Sequence, residues 1–171
     1  MTEENTGGAA QAAAGNAEPT NERVFRIQRV YLKDVSFESP RTPSVFVNNA
    51  TWKPEVQVHL NTDKEVLDND LYEVTLVLTV TVKNEGETAY LTEVKQSGLF
   101  TIKGLDDASL NGMLYSFCPN ILFPFGRQAI ADIVMRGGFP QLLLDPVNFD
   151  ALYAQHVESA RQNAPAPGTS Q

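Results

Sequence analysis

The stretch LYEVTLVLTVTV (71–82) constrains the fold more than any other part of the chain. Val74, Leu76, Leu78, Val80 and Val82 alternate with Glu73, Thr75, Thr79 and Thr81. Successive side chains of an extended chain point to opposite faces, so this run is a strand with one apolar and one polar face.

The same period recurs on both sides of it. Between Val24 and Glu38 the odd positions carry Phe25, Ile27, Tyr31, Val35 and Phe37, and Asp34, Ser36 and Glu38 fall between them. A long strand, bent near Lys33, is predicted there. A proline-rich loop, SPRTPSVFVNNATWKP, follows and holds the only tryptophan. Val56, Val58 and Leu60 then alternate with Glu55, Gln57 and His59 in a short second strand. After the third strand, KNEGE supplies the glycine of a tight hairpin. A fourth strand runs from Thr88 to Ile102, with Gly98 read as a bulge.

Past Lys103-Gly104 the period becomes helical. Leu110, Met113, Leu114 and Phe117 form one apolar stripe, and Ala129, Ile130, Ile133 and Val134 a second, stopped by Gly137-Gly138. After a non-regular link, Asn148 is an N-cap for an amphipathic helix carrying Phe149, Leu152, Tyr153, His156 and Val157. Between the first two stripes lies CPNILFPF (118–125), whose two prolines argue against an ordinary buried helix. Strands followed by helices give an α+β fold: a four-stranded antiparallel sheet with helices packed on one face. The helices are expected over Val74, Leu76 and Leu78, and the face carrying Asp34, Glu38, Glu73 and Glu93 is expected to meet solvent.

Residues 1–22 hold no large apolar side chain after Met1, and 163–171 read NAPAPGTSQ. Neither segment can bury enough surface to offset the entropy of ordering, so both are expected to be disordered tails flanking one domain over 23–162. The net charge of −8 speaks against docking on nucleic acid or anionic lipid. An acidic N-terminus without an apolar core predicts no secretory leader, and no apolar run is long enough to insert into a membrane. A single cysteine, Cys118, fits a reducing cytoplasm.

Motifs of catalysis are missing. His59 and His156 have no cysteine or carboxylate cluster at ligand spacing, so no metal site is expected. Cys118 has no base nearby in sequence, and no GxSxG, P-loop or GxGxxG motif is present. Asp106-Asp107 reads as a helix cap. The residues call for no catalytic group, no cofactor and no enzyme activity. Apolar side chains in the loop and in 118–125 leave two readings open: they staple loops to the sheet, or they line a groove for extended peptide.

IQRVYLKDVSFESP (27–40), WKPEV (52–56), DLYEVTLVLTVTV with ETAYLTEVKQSGLF, CPNILFP (118–124), RGGFPQL (136–142) and PVNFDALY (146–153), in that order, resemble the SecB family of Gram-negative export chaperones. The resemblance covers residues 24–160. It implies a cytoplasmic homotetramer, a dimer of dimers, that holds unfolded secretory precursors without ATP and passes them to the SecA motor. Carried over by position, it implies a SecA-binding face at Asp34, Glu38, Leu91 and Glu93, and assembly-sensitive positions at Thr92, Val94 and Gln96. For the peptide groove the candidates are Phe46, Trp52, Val56, Val58, Leu60, Ile121, Leu122, Phe123 and Phe125, with 118–125 as part of a crossover segment. Two further readings stand beside it: a SecB-like chaperone of a toxin–antitoxin system, and a small α+β enzyme or ligand-binding domain. Three features depart from the family: a longer N-terminal tail, a C-terminal tail without acidic residues, and two extra residues in the Pro40–Trp52 loop.

Overall fold

Four antiparallel strands and a layer of helices make up the computed structural model, which describes residues 22–47 and 51–162. The tails expected at the two ends therefore lie almost wholly outside the described residues. The strands are β1 (Val24–Glu38), β2 (Pro54–Asp68), β3 (Leu71–Asn84) and β4 (Glu87–Lys103), ordered β1-β4-β3-β2 across the sheet. The β3–β4 hairpin turns through Glu85 and Gly86, both at positive φ, the conformation a two-residue turn requires and glycine adopts without strain.

The expected faces hold for β3 and β4. Val74, Leu76, Leu78 and Val80 are fully buried, and their register partners Gly98, Gln96, Val94 and Thr92 share that inner face. Helix α3 (Cys118–Arg136) lies across β3, β4 and β1 there. It comes close because Gly126 lacks a side chain: a Cβ on it would sit 2.4 Å from Leu78 Cδ1.

Three expectations are corrected. Simple odd–even alternation does not hold along β1, because extra residues enter between Ile27 and Arg29 and between Leu32 and Asp34. Each bulge shifts the parity by one, so Phe25, Ile27, Val30, Leu32, Val35 and Phe37 share the inner face, and Tyr31 turns to the outer one. Gly98 is no bulge: it pairs in register with both Val30 and Val74. Its missing Cβ leaves room for the Phe100 ring and Leu122, whose atoms would stand 2.7 and 3.1 Å from it. Thirdly, β2 is fifteen residues long rather than a short strand over 56–60.

CPNILFPF is helical, and it is not a crossover segment. A continuous helical run joins α2 (Asp107–Gly112), a π-helical turn (Met113–Phe117) and α3. In the π turn the Cys118 amide donates to the Met113 carbonyl, five residues back. Widening the helix there accommodates Pro119, which has no amide to donate and would crowd an α-helical carbonyl. Pro124 is tolerated inside α3, at an exposed position. The run ends as expected at Gly137, followed by Gly138 at φ +86°. Asp106 caps its start, accepting from the Ser109 amide at 2.9 Å. Asn148 caps α4 (Phe149–Gln162) through the Ala151 amide at 3.0 Å. A short helix, α1 (Ser44–Val47), stands in the proline-rich loop.

Candidate functional site

Helix α3 leaves the inner face of β2 uncovered. Val56 and Val58 pair with the fully buried Val82 and Val80, yet are themselves 42% and 40% exposed. Beside them stands an aromatic cluster centred on the buried ring of Phe139. Tyr90, Phe46, Trp52 and Phe37 lie 4.7, 5.0, 5.7 and 6.3 Å from it, centroid to centroid. Phe46, from α1, is 51% exposed and forms the rim. The apolar strip continues from Leu60 into a cleft of about 710 Å³ between β2 and α4, walled by Tyr115, Leu152, Tyr153 and Val157.

Phe46, Trp52, Val56, Val58 and Leu60 of the expected groove are thus on the side of the sheet that faces α4 and Phe139. Leu122 and Phe123 are not groove wall: both are buried in the core, and Phe123 meets Phe149 edge-on at 5.7 Å. Helical geometry turns them onto the sheet, which an irregular segment would not. Ile121 is half-buried against the core, and Phe125 is 53% exposed on α3. The α4 side chains that adjoin this strip were not among the expected residues. The stripe of α4 was visible in sequence, but nothing local to it tells whether its partner is the core or an open cleft.

On the outer face, Asp34 and Glu38 of β1 stand beside Glu93 and Leu91 of β4, with Glu38 directly opposite Leu91. The bulge before Asp34 puts it on this face, opposite Lys95. Thr79 donates to Glu93 at 3.1 Å. Glu73, expected in solvent, is only 8% exposed. It accepts from Tyr31 Oη and, at 2.6 Å, from Lys33 Nζ, so one carboxylate of β3 ties down two residues of β1 across β4. Burial pushes its carboxyl up, but the hydrogen bonds from Lys33 and Tyr31 outweigh that and hold it below the ordinary range. Burial, reinforced by Glu73, raises Tyr31 to about 12.

Thr92, Val94 and Gln96, expected to be assembly-sensitive, are buried within the chain's own fold. Thr92 Oγ1 donates to the Ser36 carbonyl at 2.8 Å and Gln96 Nε2 to the Tyr31 carbonyl at 2.8 Å. Both anchor β1, the edge strand, to β4. Cys118 is fully buried, and desolvation lifts its thiol to about 12, far from a reactive thiolate. Among the described residues, no group of three or more His, Cys, Asp or Glu side chains is placed to hold a metal ion, and no helix is long and apolar enough to cross a membrane.

Comparison with known proteins gives one answer. The SecB family, preprotein translocase subunit SecB, matches residues 18–160. A protein-export protein SecB of Ectopseudomonas mendocina (strain ymp) is 49% identical over 162 residues, covering 95% of this chain and 96% of its own length. Its counterpart in Pseudomonas paraeruginosa (strain DSM 24068 / PA7) is 47% identical over 171 residues, covering 99% of each chain. Among solved structures, a SecB-like chaperone of Mycobacterium tuberculosis in complex with a ChAD peptide from an antitoxin matches with a TM-score of 0.58. That match has 12% identity and covers 72% of this chain and 89% of the other. At that identity the likeness speaks to the fold alone.

Proposed function

The chain belongs to the SecB family of protein-export chaperones, and from that premise we propose that it holds unfolded secretory precursors in the cytoplasm and hands them to SecA. It is a chaperone and not an enzyme. One observation carries the reading of how it binds: the inner face of β2 is left bare beside the aromatic cluster of Phe46, Trp52 and Phe139. A long, shallow, apolar strip accepts many sequences, because apolar and aromatic contacts do not specify hydrogen-bonding partners. A holdase of this kind needs no nucleotide, since binding the unfolded chain shifts the equilibrium by mass action.

The acidic outer face, with Leu91 at one end beside Glu38, suits a basic partner such as SecA. Charge speeds the encounter, and the apolar contact adds affinity that salt does not screen. Association into a homotetramer, a dimer of dimers, is supported by two surfaces. The β1 edge carries Ile27, Leu32 and Val35, all 40% exposed or more, and edges of this kind are seldom left bare. Phe117, Ile121 and Phe125 repeat every four residues along the helical run, giving a second strip for helix-to-helix packing.

Trp52, the only tryptophan, reports directly on the groove. Adding an unfolded, tryptophan-free precursor should shift its emission saturably, and Val58→Asp should weaken that binding by about tenfold or more, as expected from a charge facing apolar surface. Emission unchanged at saturating precursor, or a Val58→Asp protein that binds like the wild type, would place the client elsewhere.

A further inference from the structure

The acids of the outer face are not left unopposed. Lys95 of β4 stands opposite Asp34, and its Nζ lies 3.9 Å from Asp34 Oδ2 and 3.7 Å from Glu93 Oε1. The lysine nearest it on β1 is committed elsewhere: Lys33 Nζ sits 2.6 Å from Glu73 Oε2. Among the described residues, the ion pairs of Asp34 and Glu93 are those with Lys95. Both are at the outer limit of ion pairing, and the side chain of Lys95 is 40% exposed.

Such a lysine holds its partners weakly. Exposed ion pairs contribute little, and an ammonium on a flexible stem is strongly hydrated and readily exchanged. Its charge nevertheless stays well within a Debye length of Asp34 and Glu93, reducing their two negative charges to a net of one. We infer that Lys95 is a built-in counter-ion that sets how strongly this face takes a basic partner. On docking, the partner's cations replace the Lys95 ammonium at Asp34 and Glu93, and it swings into solvent. This rests on the docking of SecA at this face. It differs from a structural role for Lys95 in the sign of its effect: a strut between β1 and β4 would weaken docking when removed, and a counter-ion strengthens it.

The test is the association of purified SecA with the full-length protein, measured at low and at high salt. Lys95→Gln should bind about two- to fivefold tighter at low salt, mainly through a faster on-rate, and the gain should fade as salt rises. Lys95→Arg should behave as wild type, and Asp34→Ala should bind more weakly. If Asp34→Ala weakens binding while Lys95→Gln leaves it equal or weaker, Lys95 is no counter-ion, although the docking face stands. If neither Asp34→Ala nor Leu91→Arg has any effect, the docking face itself is misassigned, and the role of Lys95 goes with it.

Discussion

At position 73 a carboxylate lies almost out of water on β3, between the hydroxyl of Tyr31 and the ammonium of Lys33. Its pKa is lowered in the folded state, so its contribution to stability is present above the pKa of the unfolded chain. That contribution fades as pH falls through the ordinary carboxylate range towards the folded value. Glu73→Gln should therefore cost about 1–3 kcal/mol at neutral pH, and the gap to wild type should shrink in acid. Urea titrations at neutral and acidic pH measure it; a gap independent of pH would show that the charge of Glu73 is not what matters. The sequence placed Glu73 on the outer face correctly but left it in solvent, because its two partners come from β1. Tyr31 was assigned to the inner face by simple alternation. The bulge at Gln28 reverses that parity and the one at Lys33 restores it, and a bulge of this kind has no side-chain signature: Gln28 and Lys33 look like any polar strand residues. Glu93 and Leu91 were legible because β4 alternates without interruption through that stretch, and Asp34 and Glu38 because the two bulges of β1 cancel before them.

At the scale of elements, the boundaries of β3, β4 and α4 were readable from period and caps, whereas β2 and CPNILFPF were not. Beyond Leu60, β2 reads Asn-Thr-Asp-Lys-Glu, with no apolar face to mark it; pairing with β3 extends it. In 118–125 the prolines gave the wrong signal, because a π turn upstream absorbs one and an exposed site tolerates the other. Two glycines in this helical run separate packing from propensity. Gly126→Ala drives a methyl to 2.4 Å from Leu78 Cδ1, in a fully buried contact. Overpacking of about 1–3 kcal/mol should outweigh the roughly 1 kcal/mol gained in helix propensity. Gly112 is helical with only Tyr153 Cε1 near, at 4.0 Å, so Gly112→Ala should stabilise by up to about 1 kcal/mol. Chemical denaturation compares them; the same sign of change in both would contradict the close helix–sheet contact at Gly126.

For the whole molecule, the division of labour follows from which side of the sheet α3 covers. It seals β3 and β4, leaves the inner face of β2 bare, and keeps the acidic outer face clear of helices. The apolar strip was only partly legible in the sequence: Phe46, Trp52 and the β2 residues lie along it as their positions suggested, whereas α4 joins them through tertiary contacts alone. The most direct test of client holding is light scattering as a slow-folding, denatured precursor is diluted into buffer without nucleotide. Present in at least equimolar amount, the protein should suppress aggregation, and Val58→Asp should restore much of it. Aggregation at an unchanged rate in the presence of the wild-type protein would contradict a nucleotide-free holdase working through the face of β2.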